Sequence, residues 1–140
     1  MKRLTLICLL FVSSLAAIKL YAQSAFPASE GERIKYNAFI EMPRSYNSGI
    51  MILMNDNDEI KGSLFNEFGV TALDFSYIPK KNKVKLHNVM NMMDKWYIRR
   101  VLRKDIAQMM ICLQKGETEY QNEHHHITYK FTPLADEVLK

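Results

Sequence analysis

With 140 residues, 48 % of them hydrophobic and 24 % charged, the chain has the size of one domain with one modest core. Its 19 Lys+Arg outnumber 15 Asp+Glu, but Lys2, Arg3 and Lys19 all fall in an N-terminal stretch without an acid, so the remainder is close to balance. That balance gives no support to nucleic acid as a partner.

Residues 1–22 have the layout of a secretory signal peptide. A basic start, Met1-Lys2-Arg3, precedes an apolar run from Leu4 to Ala17, and Ala22 offers a small residue for cleavage before Gln23. The run is short of the ~20 apolar residues that a membrane span needs. Cys8 follows Leu6 and Ile7, where a lipobox places small residues, so it reads as part of the leader. The expected location is the periplasm or the exterior. Cys112 is then the single remaining thiol, and no internal disulfide can form.

Residues 23–32, small and polar with Pro27 and Gly31, read as a flexible lead-in to a single domain at 33–140. From Arg33 to Met42 the chain alternates: Ile34, Tyr36, Ala38, Ile40 and Met42 share one parity, as in a strand with one buried face. Phe39 interrupts the polar parity. Pro43 to Gly49 has loop composition. Ile50 to Met54 is apolar on both parities, and Asn55 to Asp58 is an acidic turn. The next strand, Ile60 to Asn66, holds Gly62 as a bulge or close-approach site.

Val70 to Tyr77 carries Leu73, Phe75 and Tyr77 on one face, and Pro79 suits a tight turn. Lys83 to His87 alternates as an edge strand. A helical pattern spans Val89 to Leu113, with Asn88 and Asp94 as caps and a break near Asp94. Trp96, Ile98, Leu102, Ile106, Met109 and Leu113 form its apolar stripe, opposite Arg99, Arg100, Arg103 and Lys104. Gly116 to Glu123 reads as a polar loop. A last strand places His125, Ile127, Tyr129 and Phe131 on one parity, and Leu134 to Lys140 adds a short helical turn. The short connections favour an antiparallel meander. The expected fold is α+β, a twisted antiparallel sheet of about five or six strands forming an incomplete barrel, with one main amphipathic helix packed on it.

Three stretches carry a family likeness: Ser48-Gly49-Ile50-Met51-Ile52, Leu64-Phe65-Asn66-Glu67-Phe68-Gly69, and Leu73-Asp74-Phe75-Ser76-Tyr77. Their order resembles the LolA/LolB-type lipoprotein carriers over roughly Tyr36 to Leu113. The resemblance implies an incomplete antiparallel barrel closed by helices, with an apolar cavity for acyl chains.

No catalytic motif is present. There is no G-x-S-x-G and no glycine-rich phosphate loop, and Cys112 on the helix suits an inert thiol. Asp74 is a lone carboxylate; two of Asp74, His87 and the C-terminal histidines meeting in one pocket would revive catalysis. His124-His125-His126 lacks the three or four ligands at defined spacing of a zinc site and reads as an exposed strand end. Asp56-Asn57-Asp58-Glu59 departs from a calcium loop at Ile60 and Lys61 and reads as a solvated hairpin turn. No metal or cofactor is expected.

Met42, Met51, Met54, Met90, Met92, Met93, Met109 and Met110 are many for one small domain, and methionine suits adaptable apolar surfaces. The expectation is a non-enzymatic binding domain whose apolar wall comprises Ile50, Ile52, Met54, Leu73, Phe75, Tyr77, Ile98, Leu102 and Met109. It would hold an acyl chain or apolar segment of a lipid or lipoprotein. Arg99, Arg100, Arg103 and Lys104 form a face for anionic lipid headgroups or an acidic partner. The alternative is a structural or interaction protein of the cell envelope with a filled core.

Overall fold

The computed structural model describes residues 26–134. The expected signal peptide with its cleavage after Ala22, and the helical turn expected over 134–140 apart from Leu134 itself, lie outside the described residues. Seven strands form one antiparallel sheet: β1 (Arg33–Met42), β2 (Ser45–Asp56), β3 (Glu59–Asn66), β4 (Thr71–Ile78), β5 (Lys83–Val89), β6 (Glu119–Asn122) and β7 (Ile127–Pro133). One main helix, α1 (Trp96–Gln114), lies between β5 and β6 in sequence. Across the sheet the order is β5-β4-β3-β2-β1-β7-β6. The helix packs against β5 and β6, the two edge strands, so it bridges the opening of a curled sheet. The fold is α+β, an antiparallel half-barrel with one main helix.

Cross-strand partners share a face. The pairs Tyr36↔Met51, Met51↔Leu64 and Leu64↔Leu73 therefore mark one concave face. Tyr36, Met51, Leu53, Ile60, Met109 and Leu113 are all but inaccessible there, and each contributes ~1.5–3 kcal/mol through burial if it is of Leu or Met size. The space under the helix is thus occupied by side chains.

Glycine permits two close approaches. A Cβ at Gly62 would overlap the ring of Phe75, its cross-strand partner; a Cβ at Gly49 would overlap the backbone carbonyl of Phe65. Asn57 and Asp58 have positive φ, as a two-residue hairpin with right-handed strand twist requires. Pro79–Lys81 is a 3-10 turn ended by Asn82 in the left-handed region, whose side chain accepts a hydrogen bond from Tyr77 Oη at 3.0 Å.

Several boundaries differ from expectation. β2 begins at Ser45, so most of the expected loop at 43–49 is strand, its polar residues zipped to β1 through pairs such as Ile40↔Asn47. Glu119–Asn122, expected as loop, is the edge strand β6; Tyr120 packs on the core, but the next inward position, Asn122, is polar because it hydrogen-bonds the helix carboxylate Asp105. The sheet therefore has seven strands and not five or six. Val89 closes β5, and a 3-10 turn at Asn91–Met93 separates it from α1. Lys95, not Asp94, occupies the N-cap; Asp94 is ion-paired to Arg99 instead. Phe39 projects from the convex face and stacks on Tyr46 at 5.5 Å.

The described part of the lead-in is packed. Phe26 belongs to the core and Pro27 is buried. Asn55 Nδ2 donates to the Pro27 carbonyl at 3.0 Å, and the Gly31 N–H donates to the Asn55 carbonyl at 2.9 Å. Composition hid this, because a single aromatic residue anchors the whole segment.

Candidate functional site

The β1–β2, β3–β4 and β5–α1 connections share one end of the half-barrel. There a pocket of about 280 Å³ is lined chiefly by apolar groups, among them Ala38, Ile40, Leu64, Ala72, Met90 and Met93. The Met90 N–H donates to the Ala72 carbonyl at 3.0 Å, which holds the methionine turn against β4. Asn66 Oδ1 accepts the N–H groups of Phe68 and Val70, both at 3.0 Å, and so shapes the turn that presents them. Exposed large apolar side chains gather at this end: Tyr46, Phe68, Val70, Met92, Trp96 and Tyr97, with Phe68 83 % and Met92 81 % exposed. Among the described residues only Met54 of that group lies elsewhere.

The nine residues expected to wall a cavity under the helix do not do so together. Leu73, Phe75, Tyr77 and Met109 are buried and fill the core. Leu102 packs half-buried at its margin, and Ile98, four residues earlier on the helix, is half-buried without joining the core. Ile50, Ile52 and Met54 are on the convex face, since Ile52 pairs with Ser63 and Ser63 with Asp74. An apolar run carries no parity signal, and pairing with β1 turned Met51 and Leu53 inward. None of the nine lines the mouth pocket. Trp96, expected to face the sheet, is 75 % exposed because it opens the helix beyond the edge of the core.

A second feature is polar. Asp105, 2 % exposed, faces β6 and β7 from the helix. Its carboxylate accepts a hydrogen bond from Tyr129 Oη at 2.5 Å and from Asn122 Nδ2 at 2.8 Å. Burial, and then the adjacent Asp105 carboxylate, push the Tyr129 phenol far above its ordinary value, so it remains a donor. Asn122 Oδ1 accepts the His125 N–H at 3.1 Å. Asp105 thereby anchors the β6–β7 turn to the helix. Sequence reasoning missed it, although Leu102 and Met109 stand three before and four after it, which puts an acid on the apolar stripe.

Beside this network runs an open cleft of about 760 Å³ between Lys81 and Lys83, Arg103 and Lys104, and His124 and His125. Of the expected anionic-partner face, Arg103 and Lys104 line the cleft; Arg100 lies in an adjoining hollow with Trp96 and Tyr97. Arg99 is engaged by Asp94.

His124–His126 form a turn and not a strand end; His126 has positive φ, and the rings of His124 and His125 meet edge to face at 4.7 Å. Among the described residues no group of three or more His, Cys, Asp or Glu is placed to hold a metal. Ser76 Oγ and His87 Nε2 are hydrogen-bonded at 2.6 Å where β5 bulges, and Asp74 accepts from Ser63 Oγ at 2.7 Å. His87 and Asp74 thus have separate partners, and His124 and His125 line a different cleft. Burial, reinforced by Glu117, raises the half-buried Cys112 thiol above its ordinary pKa.

No family model, curated protein or solved structure matches this chain.

Proposed function

We propose that this chain is a non-enzymatic binding domain that accepts an apolar group, such as the end of an acyl chain of a lipid or lipoprotein, at the open end of its half-barrel. It would act in the periplasm or outside the cell once the leader is removed. The supporting observation is the pocket of about 280 Å³ lined by Met90, Met92 and Met93, with the exposed Phe68 and Val70 on the β3–β4 connection at the same end. Methionine adapts to apolar partners of varied shape. The volume lies just below the ~300–1,000 Å³ of usual small-molecule sites, which favours a chain terminus over a whole lipid. The likeness to the lipoprotein carriers belongs to this proposal, with the site moved from beneath the helix to the mouth.

Ala72→Phe tests it, since Ala72 lines the pocket, to which no residue of α1 contributes. Uptake of a fluorescent fatty acid should be lost while the thermal midpoint is unchanged. No uptake by the wild type would defeat the reading. One observation favours the alternative, an envelope interaction protein without a small ligand: Met51, Leu53, Ile60, Met109 and Met110 occupy the centre of the half-barrel.

A further inference from the structure

The basic cleft has a chemistry separate from the apolar mouth. Lys81 comes from the β4–β5 connection and Lys83 from the start of β5, Arg103 and Lys104 from the helix, and His124 and His125 from the β6–β7 turn. All six are exposed. The ion pairs found among the described residues are Lys61–Asp56 and Arg99–Asp94, so none of the four cleft cations has a carboxylate within ion-pair reach. The single carboxylate lining the cleft, Asp105, is buried and already satisfied by Tyr129 and Asn122. Ordinary surfaces intersperse both signs; here three elements bring one sign to a concavity.

The cleft's third wall is also fixed in place. Asp105 holds Asn122, and Asn122 accepts the His125 N–H, so the histidine turn is tied to the helix that carries Arg103 and Lys104. Lys and Arg ammonium and guanidinium groups, with imidazole N–H donors, suit tetrahedral oxyanions of high charge. Its volume of about 760 Å³ fits a small ligand.

We propose that this cleft binds phosphate-bearing anions, gripping them between Lys81 and Lys83 on one side and Arg103 and Lys104 on the other, with His124 and His125 closing the third side. The phosphate could arrive on a soluble solute or on a lipid headgroup, and the two sources are separable by experiment.

Binding of tripolyphosphate is measured by calorimetry at low salt, and binding of phosphatidylglycerol vesicles by sedimentation against phosphatidylcholine vesicles. The variants are Lys83→Glu with Lys104→Glu, a milder Lys83→Gln with Lys104→Gln, and a charge-matched control, Arg33→Glu with Lys130→Glu. All four positions are exposed, and equal thermal midpoints verify that the variants fold. The expected result is that the cleft charge reversal weakens tripolyphosphate binding by about tenfold or more, the neutral pair by less, and the control by about twofold at most. Capture of phosphatidylglycerol vesicles without tripolyphosphate binding, abolished by the same cleft pair, supports the site with a lipid headgroup as its source. Equal losses in cleft and control pairs would show a diffuse charge effect and overturn the proposal, as would binding of neither probe by the wild type.

Discussion

Tyr129 on β7 donates its phenolic proton to Asp105 on α1 across 2.5 Å, and both side chains are almost fully buried. The helix is therefore joined to the sheet by a charge-assisted hydrogen bond as well as by apolar contact. Removing the donor leaves a buried carboxylate with one partner fewer. Tyr129→Phe should lower stability by ~1.5–3 kcal/mol in urea unfolding, the range for hydrogen bonds to charged groups. Asn122→Ala should also destabilise and, in addition, loosen the His125 backbone. A Tyr129→Phe variant as stable as the wild type would show that the bond contributes nothing net.

The helix stripe predicts opposite results at its two ends. Leu113→Ala, at a fully buried position, should cost ~2–5 kcal/mol. Trp96→Ala, at an exposed one, should stay within ~0.5 kcal/mol. Thermal denaturation of the pair checks the assignment, and a larger loss at Trp96 would reverse it.

Gly62 and Gly49 should respond differently to the same methyl group. Gly62→Ala pushes against the ring of Phe75, an overpacking that costs ~1–3 kcal/mol and that Phe75→Leu should partly relieve. At Gly49 the obstacle is the Phe65 backbone carbonyl, so shortening a side chain offers no relief. Chemical denaturation of the single and double variants distinguishes them; rescue at neither site would contradict the Phe75 packing.

Cys112 should alkylate slowly in the folded protein. Burial and Glu117 raise its pKa, so at any neutral pH the reactive thiolate is scarcer than in an unfolded chain. The rate with iodoacetamide should climb only at pH above the ordinary thiol range, ~8.5, and denaturant should bring the rise to lower pH. Equal rates folded and unfolded at pH 7 would contradict this.

Strands with one buried face were legible in the sequence, as at β1, where Tyr36 and Ala38 alternate with Lys35 and Asn37. The β2 faces were not, because Ile50 to Met54 is apolar throughout and only partner register decides which residues turn inward. β6 was hidden by its polarity: Glu119, Gln121 and Asn122 look like loop residues until β7 is beside them. The basic helix face was visible, but not its meeting with Lys81, Lys83 and the histidine turn, since residues from three distant segments share no sequence signal. The methionine turn at Asn91–Met93 was read as helix, because a run with apolar residues at helical spacing does not reveal where Val89 is held in a sheet.

The position of β7 between β1 and β6 has a kinetic consequence. β1 is the first strand made and β7 the last, yet they pair directly from Tyr36↔Pro133 to Glu41↔Thr128. During synthesis β1 can zip to β2 at once, while its other edge waits for nearly the whole domain to emerge. Contacts of such long sequence separation slow folding, because loop-closure entropy is lost before any pairing compensates for it. Until β7 docks, the open edge of β1 is a template for pairing with other chains. Folding rate and aggregation during refolding should therefore be governed by β7, and a proline at Phe131, in the middle of that strand, should slow refolding far more than one at exposed Lys81.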